Sequence, residues 1–347
     1  MPGIDEILQE ARSAGASDVH LASGVSPRMR IGGRLAVMDH ARLQPADTLD
    51  ILVSVMPEVH RLRLEEKGEC DFSLSLPGCG RCRVNVYKQR GSVALAFHLV
   101  DNRVPSLEEL GMPASVIGLC EREQGLVLVT GPTGNGKSTT LAAMVDRIND
   151  SREAHIITLE DPVEYLHQHK KSLVTQREIG LDSENYVSGL RAALREDPDV
   201  ILVGELCDPE TVSMAVQAAE TGHLVLSAMH SVGTADTVDR LIGAFPLYQQ
   251  QQMRARLANV LEAVVAQQML PVLNEDRRTA VFEALLVDDQ VRSLIREGKT
   301  YQLPQVIKAG GQQGMAAMEE AVEKLFLDGR ISEETRTRFI RSYSAIQ

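Results

Sequence analysis

A short glycine-rich stretch constrains the fold of this chain more than any other part of its sequence. It reads Gly131-Pro132-Thr133-Gly134-Asn135-Gly136-Lys137-Ser138-Thr139 and fits the pattern G-x-x-x-x-G-K-[ST]. The nearly all-apolar run Leu126–Val129 precedes it, and a helical pattern follows it. In a strand–loop–helix of this kind, successive backbone N–H groups point at phosphate oxygens. The pattern therefore predicts an α/β domain that binds a nucleotide.

The last residues of this loop have separate expected roles. Lys137 is expected to reach the β- and γ-phosphates of ATP, and the Ser138 hydroxyl is expected to ligate Mg²⁺. The whole stretch from Gly131 to Thr139 is the predicted cofactor-binding segment. A chance glycine-rich turn is the alternative, and the flanking strand and helix disfavour it.

Three more apolar runs continue the pattern after the loop: Ile156–Leu159, Val200–Val203 and Leu224–Leu226. Continuous apolar runs suit strands that are buried on both faces. Because helical segments separate these runs, the sequence predicts a mostly parallel sheet with helices on both sides. The carboxyl ends of its strands would then converge on the phosphate loop.

Acidic residues follow two of these predicted strands. Glu205 comes just after Val200–Val203, which is the Walker-B pattern that places a carboxylate beside Mg²⁺ and its water shell. Glu164 belongs to the acidic cluster after Ile156–Leu159, where an acid can orient or deprotonate the attacking water. The alternative for each acid is a solvated loop carboxylate or a helix cap.

A histidine follows the fourth predicted strand. His230 is placed to contact the γ-phosphate and to report its loss, and His223, just before the strand, is a second candidate. The alternative for a lone histidine is a structural role. Glu164, Glu205 and His230 are therefore the predicted catalytic residues, with Ser138 and Glu205 as the predicted ligands of the metal.

The part of the chain before the apolar runs alternates short strand-like and helix-like segments, which predicts a small α+β domain over residues 1–99. A linker is predicted over 100–113, the ATPase domain over 114–270 and a mostly helical region over 271–347. The elements predicted in the first domain are a helix over Ile4–Ser13, a helical stretch over Thr48–Glu66, and strands over Asp18–Leu21, Arg28–Ile31, Cys70–Leu76, Arg81–Tyr87 and Val93–Leu99.

The five cysteines do not form a disulfide framework, because their number is odd and their spacing irregular. Cys79 and Cys82 form one C-x-x-C, whereas a structural zinc site needs four ligands. On the predicted strand Arg81–Tyr87, Cys82 shares one face with two valines, and Arg81 and Arg83 share the other. We therefore favour a core role for Cys82 and a reducing compartment, with metal binding as the alternative.

Length and charge limit the classes of function. At about 150 residues a domain, 347 residues suggest two domains, with three as the alternative. No apolar run approaches the ~18 residues of a membrane helix, and the N-terminus lacks a signal-peptide pattern, so we expect a cytoplasmic protein. With 36 basic and 48 acidic residues the net charge is −12, which argues against nucleic acid as a partner.

At this point the motifs resemble those of a family, the secretion and type IV pilus ATPases, and specifically the PilT-type retraction motors. No four-cysteine motif, usual in extension motors, occurs in the C-terminal half, and Val291–Lys299 is similar to the retraction segment Ala-Ile-Arg-Asn-Leu-Ile-Arg-Glu. A generic amphipathic helix is the alternative for that segment. The other segments that carry the resemblance are Gly15–Leu21, Ile157–Tyr165, Leu190–Asp199 and Thr221–Arg240.

This resemblance implies a hexameric, Mg²⁺-dependent ATPase with a PAS-like N-terminal domain and a RecA-like C-terminal domain. The nucleotide would lie between the two domains, near a neighbouring subunit. Glu164 then corresponds to the water-activating glutamate and Glu205 to the Walker-B acid. Arg81, Arg83 and Arg90 are candidates to approach the phosphates, with a solvated charged strand as the alternative.

The function that the resemblance implies is pilus retraction at the cytoplasmic face of the inner membrane. The implied partners are further copies of the chain and the inner-membrane platform protein of the pilus machinery, with attachment to the membrane only through partners. Three alternatives stay open: a catalytically weak accessory ring subunit, a pilus-extension or secretion ATPase, and a DNA translocase.

Two positions depart from the family pattern. The family usually has Phe-Arg where this chain has Phe97-His98, and Gly-Glu-Met-Arg-Asp where it has Gly204-Glu205-Leu206-Cys207-Asp208. Each change removes an arginine, whose guanidinium carries five N–H donors. Either the two arginines served a shared partner and were lost together, or ring closure and hydrolysis are weaker here. We expect activity to persist because the loop and the main acids are retained.

Overall fold

The computed structural model describes residues 3–76, 80–99, 103–274 and 277–344. The chain forms two compact units. The smaller unit consists of Met1–Arg103 and Pro162–Leu166, and the larger unit of Val104–Asp161 and His167–Gln347. Within the described residues, no helix is long and apolar enough to cross a membrane.

The smaller unit is built on a six-stranded antiparallel sheet in the order β3-β2-β1-β6-β5-β4. One face of the sheet buries Val84 and Phe97 against helix residues such as Ile7 and Leu8. This arrangement agrees with the predicted α+β class. The elements are α1 (Ile4–Ser13), β1 (Asp18–Leu21), β2 (Arg28–Ile31), β3 (Arg34–Val37), α2 (Pro45–Val55), α3 (Glu58–Lys67), β4 (Glu69–Leu76), β5 (Gly80–Gln89) and β6 (Ser92–Leu99).

Two predictions for this unit need correction. The helical stretch predicted over Thr48–Glu66 is two helices, because Met56 and Pro57 are extended between α2 and α3. A proline disfavours helical backbone in the residue before it and has no N–H for the ladder. The prediction also missed β3. This strand returns from β2 through Gly32 and Gly33, whose positive φ angles suit a tight hairpin.

The larger unit is an α/β layer structure around a seven-stranded sheet in the order β13-β12-β7-β11-β10-β8-β9. All neighbours are parallel except β12 and β13, which are antiparallel. The helices are α4 (Ala114–Ile117), α5 (Lys137–Ser151), α6 (Tyr186–Ala193), α7 (Pro209–Glu220), α8 (Thr234–Gly243), α9 (Leu247–Val260), α10 (Asp289–Glu297), α11 (Leu303–Ala309), α12 (Met318–Leu327) and α13 (Glu333–Ser344). The strands are β7 (Gly125–Thr130), β8 (His155–Glu160), β9 (Leu173–Glu178), β10 (Val200–Val203), β11 (Leu224–Met229), β12 (Leu261–Pro271) and β13 (Arg278–Leu286).

The four apolar runs of the sequence are the central strands of this sheet, and every residue of β7, β10 and β11 is buried. The sequence analysis missed β9, β12 and β13. The edge strand β9 is mostly polar, and β12 begins at the residue after α9 with no glycine or proline between them. The predicted helical region 271–347 thus starts with part of a sheet. In the predicted linker, Leu107 and Met112 are buried in the core of the larger unit.

Candidate nucleotide site

The phosphate loop joins β7 to α5, as its sequence predicts. Its three glycines, Gly131, Gly134 and Gly136, all have positive φ angles that only glycine adopts readily, and two of them also lie against β12. Gly131 has φ +154°, and a Cβ there would lie 2.4 Å from the carbonyl oxygen of Gln267. Gly136 has φ +78° and would bring a Cβ to 3.0 Å from Nε2 of the same glutamine. The loop therefore follows a path close to β12 that a side chain at either position would block.

The lysine of the loop is held inward by the loop itself. Lys137 is the first residue of α5 and is only 8% exposed. Its Nζ donates to the carbonyl oxygens of Gly131 at 2.9 Å and Pro132 at 3.0 Å. Ser138, the next residue, is exposed at the helix N-terminus, where the helix dipole favours an anion. The loop thus combines a buried lysine with the N-terminus of a helix, two features that suit a phosphate group.

Strand β12 supports the loop from the side, and the sequence analysis did not anticipate this. Gln267 is buried and accepts a hydrogen bond from Thr140 Oγ1 at 2.7 Å. Asn135 Nδ2 donates to Gln268 Oε1 at 3.2 Å, and the Met269 N–H donates to Asn135 Oδ1 at 3.1 Å. The adjacent Gln267 and Gln268 are a sequence signal of this support, because polar amides within an otherwise apolar stretch need hydrogen-bond partners when they are buried.

Glu205 and His230 meet the lysine at the carboxyl edge of the sheet. His230 Nε2 lies 3.3 Å from Glu205 Oε2, and its Nδ1 lies 3.4 Å from Lys137 Nζ and 3.5 Å from Thr133 Oγ1. Glu205 and His230 keep 40% and 45% of their side chains exposed. The structure therefore places an acid, an imidazole and the loop lysine in one open cluster, with the imidazole between the other two.

A buried chain of hydroxyl groups fixes the segment that carries His230. Thr130 Oγ1 lies 2.5 Å from Ser231 Oγ, which lies 2.7 Å from Thr237 Oγ1 on α8. Arg240, also on α8, donates to the carbonyl oxygen of His230. Because α8 and β7 both hold this segment, the position of His230 is tied to the strand that precedes the phosphate loop.

The neighbouring strand end carries a second acidic group. Glu160 is the last residue of β8, and its Oε1 accepts hydrogen bonds from Thr158 Oγ1 at 2.6 Å and Gln176 Nε2 at 3.3 Å. Tyr186, at the start of α6, lies close to this strand end. Burial, and then the nearby Glu205, raise the pKa of the Tyr186 phenol, so it stays protonated at neutral pH.

Two further residues, Cys207 and Asp208, lie between Glu205 and helix α7. Cys207 is an exposed residue, but partial burial of its thiol raises the pKa of that group, and the nearby Glu205 raises it further. Asp208 is the N-cap of α7 and accepts from the N–H groups of Glu210 and Thr211. Burial alone would raise the pKa of Asp208, but its hydrogen bonds with Thr211 and Glu210 outweigh burial and lower it. The carboxylate of Asp208 is therefore a structural cap.

Glu164 belongs to the smaller unit, where it is partly buried within the segment Pro162–Leu166. Arg81, on β5, donates from Nε to the carbonyl oxygen of the adjacent Val163 at 2.5 Å. Arg83 lies on the same face of β5, as predicted, and pairs in register with Ser73 and His98. Arg81 is thus hydrogen-bonded beside Glu164.

Arg90 occupies a different place. It is exposed, has φ +45° and forms the β5–β6 turn with Gly91, because Gln89 and Ser92 are paired. At about 3.3 Å a residue, it lies roughly 30 Å along the strand from Arg81. The arginines are therefore not one cluster, although they share a hairpin.

Two other candidates are placed away from the acid cluster. His223 lies at the amino end of β11, opposite the end that carries His230, and its Nδ1 is 2.8 Å from the Ala218 carbonyl oxygen. Cys82 is fully buried on the core face of β5, as the alternation predicts, while Cys79 lies outside the described residues.

Comparison with known proteins assigns the chain to a family. The model of the type II/IV secretion system proteins matches residues 1–336. PilT of Pseudomonas aeruginosa, named a type IV pilus retraction ATPase, is 40% identical over 95% of this chain and 96% of its own length. YggR of Escherichia coli, which has no assigned function, is 45% identical over 94% of this chain and 99% of its own. The chain belongs to the type II/IV secretion system protein family.

Solved structures agree with this family assignment. A pilus retraction motor PilT with bound ADP superposes with a TM-score of 0.91 at 45% identity, covering 97% of both chains. The ATPase DotB of Legionella pneumophila gives a TM-score of 0.80 at 28% identity, covering 98% of this chain and 95% of its own. As a PilT-type member of the family, the chain is an ATPase with the predicted mixed α/β fold.

His98, which stands where the family pattern has an arginine, contacts an aspartate on the neighbouring strand. His98, on β6, is 58% exposed, and its Nδ1 lies 3.1 Å from Asp18 Oδ1, while Arg30 Nε lies 3.9 Å from Asp18 Oδ2. Burial tends to raise the pKa of Asp18, but hydrogen bonds from Ser17 and His98 lower it overall. His98 thus completes a row of polar side chains across β2, β1 and β6.

The segment similar to the family's retraction motif is helix α10. It buries Val291 and Ile295. Arg292 Nη1 donates to the carbonyl oxygens of Ala258 at 2.6 Å and Asn259 at 2.9 Å, and its Nη2 donates to Glu262 at 2.9 Å. Arg292 therefore caps the last carbonyls of α9, which ties the motif to the start of β12.

Proposed function

We propose that this protein is a motor that hydrolyses ATP to power retraction of a type IV pilus. The observation that carries the proposal is the cluster of Lys137, His230 and Glu205 at the carboxyl edge of a RecA-like sheet, in a chain 40% identical to a named retraction ATPase. An imidazole that contacts both the phosphate-binding lysine and an acid can couple the state of the nucleotide to the segment before α8.

The residues have the following proposed roles. The Gly131–Thr139 loop binds the phosphates, and Lys137 neutralises charge on the β- and γ-phosphates. Glu164 accepts a proton from the attacking water, and Arg81 and Arg83 contribute positive charge toward phosphate. Arg90, at the far end of the hairpin, is a separate candidate for the same role. Each role is a proposal about chemistry that substitution can test one residue at a time.

The donor set also fits Mg²⁺. Ser138 presents an exposed hydroxyl and Glu205 a carboxylate that is 40% exposed, and oxygen ligands are those that Mg²⁺ prefers. We propose these two residues as its protein ligands. When bound, the ion offsets the negative charge of the phosphate oxygens.

We further propose that six copies form a ring that engages the platform protein of the pilus machinery at the cytoplasmic face of the inner membrane, with no nucleic-acid partner. The proposed domains are a PAS-like domain over 1–99, a connecting segment over 100–113 whose later residues pack on the larger unit, the RecA-like domain over 114–270, and a C-terminal region over 271–347 that is helical after β13. The support is the family assignment and the relative named for pilus retraction.

Two measurements test the proposal. Purified protein should turn over ATP in the presence of Mg²⁺, and Glu164→Gln should lose most of that turnover while still binding nucleotide. Robust hydrolysis by Glu164→Gln would refute Glu164 as the base. Negligible turnover by wild-type protein that binds ATP would instead favour an accessory ring subunit, a role motivated by the arginines replaced by His98 and Cys207.

The direction of the motor is tested in cells. Deletion of the gene should leave cells with more pili and without twitching motility, because extension would continue without retraction. Bald cells would assign the protein to extension and overturn the proposed direction. Complementation with wild type and with Glu164→Gln separates loss of hydrolysis from loss of the protein.

A further inference from the structure

Glu160, Asp161 and Glu205 follow the carboxyl ends of β8 and β10, and we call this part of the sheet the acidic edge. Tyr186 lies there and has none of the roles proposed above. It is the first residue of α6, whose N-cap Asn185 accepts a hydrogen bond from the Ser188 N–H at 2.9 Å. Its ring packs against the main core of the larger unit. The helix cap and the core contact together fix where the phenol points.

The hydroxyl of Tyr186 sits where two strand ends meet. A Cβ built on Gly204 would lie 2.9 Å from the Tyr186 hydroxyl oxygen, 3.2 Å from the Leu159 carbonyl oxygen and 3.4 Å from Glu160 Cα. Gly204 follows the last residue of β10, and Glu160 ends β8. The hydroxyl therefore lies beside Gly204, the residue before Glu205, and near Glu160 at the end of β8.

The surroundings of this hydroxyl are rich in acceptors. Carboxylates follow both strand ends beside this hydroxyl: Glu160 and Asp161 at the end of β8, and Glu205 directly after Gly204. A protonated phenol is a hydrogen-bond donor, and carboxylates accept. The family's arginine after the Walker-B acid is absent, because Cys207 stands in its place. Tyr186 thus supplies an O–H donor at an edge that has lost a guanidinium.

We propose that Tyr186 is a positioning residue for hydrolysis, whose hydroxyl donates a hydrogen bond to water held among the carboxylates of Glu160, Asp161 and Glu205. The inference rests on the proposed role of this edge in ATP hydrolysis. No bond of the tyrosine forms or breaks, since the phenol only orients an oxygen of the water. The competing explanation is that Tyr186 acts through its ring alone, as a core residue.

Tyr186→Phe separates these explanations, because it removes the hydroxyl and keeps the ring. We expect kcat for ATP to fall about 3- to 10-fold, the rate equivalent of one neutral hydrogen bond, with the nucleotide Kd and the thermal midpoint unchanged. Tyr248→Phe is the matched control. Its tyrosine is 82% exposed and its hydroxyl accepts from Gln249, so deleting that hydroxyl should leave kcat unchanged.

A spectroscopic measurement supplies a readout other than activity. The chain has six tyrosines, so labelling with 3-fluorotyrosine gives few ¹⁹F signals, and the one missing in Tyr186→Phe identifies Tyr186. This signal should shift when ATPγS and Mg²⁺ are added, whereas the Tyr248 signal should not. Wild-type kcat in Tyr186→Phe, or a Tyr186 signal that ignores ATPγS, would overturn the inference.

The variant Glu205→Gln distinguishes failure of the proposed role of the acidic edge in hydrolysis from failure of the role proposed for Tyr186. If Glu205→Gln hydrolyses ATP at the wild-type rate, the proposed role of the edge is wrong, whatever Tyr186→Phe does. If Glu205→Gln is inactive and Tyr186→Phe behaves as wild type in both measurements, only the role of Tyr186 is wrong.

Discussion

Gly204 shows how one residue without a side chain shapes the acidic edge. The space beside its Cα is occupied by the Tyr186 hydroxyl and by the carbonyl oxygen of Leu159. Its φ is not positive, so any residue could adopt its backbone, and the requirement for glycine comes from contact alone. The sequence shows a glycine before Glu205, but only the structure shows that this glycine leaves room for the Tyr186 hydroxyl.

Gly204→Ala should therefore destabilise the larger unit by about 1–3 kcal/mol, the usual cost of overpacking a well-filled site. In the Tyr186→Phe background the cost should be smaller, because the 2.9 Å contact disappears while the 3.2 Å contact with Leu159 persists. Urea unfolding of the four proteins in this double-mutant cycle measures the coupling. Additive effects would show that the alanine does not meet the tyrosine hydroxyl.

His167 is a second informative residue because its side chain is only 3% exposed. Burial lowers the pKa of His167 below its ordinary 6.5, and the nearby Asp146 offsets part of that effect. The unfolded chain therefore binds a proton more readily than the folded one as the pH falls through 6.5. The stability that His167 contributes is present above pH 6.5 and is lost below it.

His167→Gln should remove this titration. Between pH 7.5 and pH 5.5, wild-type protein should lose more unfolding free energy than the variant, as measured by urea unfolding at each pH. Measurements at pH 8 serve as the reference, since the histidine is neutral there in both states. Parallel pH profiles for the two proteins would contradict a depressed pKa at His167.

At the scale of elements, β13 holds the start of helix α8. Glu283, on β13, is 3% exposed, and its Oε1 accepts from the Thr234 N–H at 3.1 Å and from Thr234 Oγ1 at 2.8 Å. A carboxylate at a helix N-terminus satisfies otherwise unpaired N–H groups and interacts favourably with the helix dipole. A strand that the sequence did not reveal thus anchors the helix after the His230 segment.

Glu283→Ala should destabilise the protein by about 2–3 kcal/mol, because it leaves the buried N–H and hydroxyl of Thr234 without this acceptor. Glu283→Gln keeps an amide oxygen of the same shape and should cost less. Thermal unfolding of both variants provides the measurement. Equal losses in the two variants would show that the negative charge, and not the acceptor, stabilises the helix.

At the scale of the whole molecule, the net charge limits which partners the protein can bind but says little about the local charge of the candidate nucleotide site. The net charge is −12, yet the proposed phosphate site contains Lys137 and the N-terminus of α5, both of which favour an anion. Opposite local and global charges are compatible because exposed charges more than about 10 Å apart are screened at ordinary ionic strength. The overall charge therefore disfavours a long polyanion without disfavouring ATP.

We accordingly expect no stimulation of ATP turnover by double-stranded DNA, even at low salt, where electrostatic binding is strongest. The measurement compares turnover with and without DNA and follows the anisotropy of a labelled duplex as protein is added. A salt-dependent rise in anisotropy with faster turnover would revive a DNA-translocating function.

The central strands, the phosphate loop and the α+β class of the first unit could all be predicted because they depend on local signals. Four apolar runs long enough to be buried on both faces, and glycines that permit one backbone path, carry that information within a few residues. The sequence pattern predicts one helix in place of α2 and α3 because the helical periodicity continues across Pro57, although the proline breaks the helix there.

The sequence by itself determined that the chain binds nucleotide and which residues form the loop, since that motif is contiguous. Only the tertiary structure decided that Gln267 supports the loop, that His230 rather than His223 joins Glu205, and that Tyr186 meets Gly204. These contacts join residues many positions apart on different strands. Their partners are fixed by the order of strands in the sheet, which no local pattern of hydrophobicity encodes.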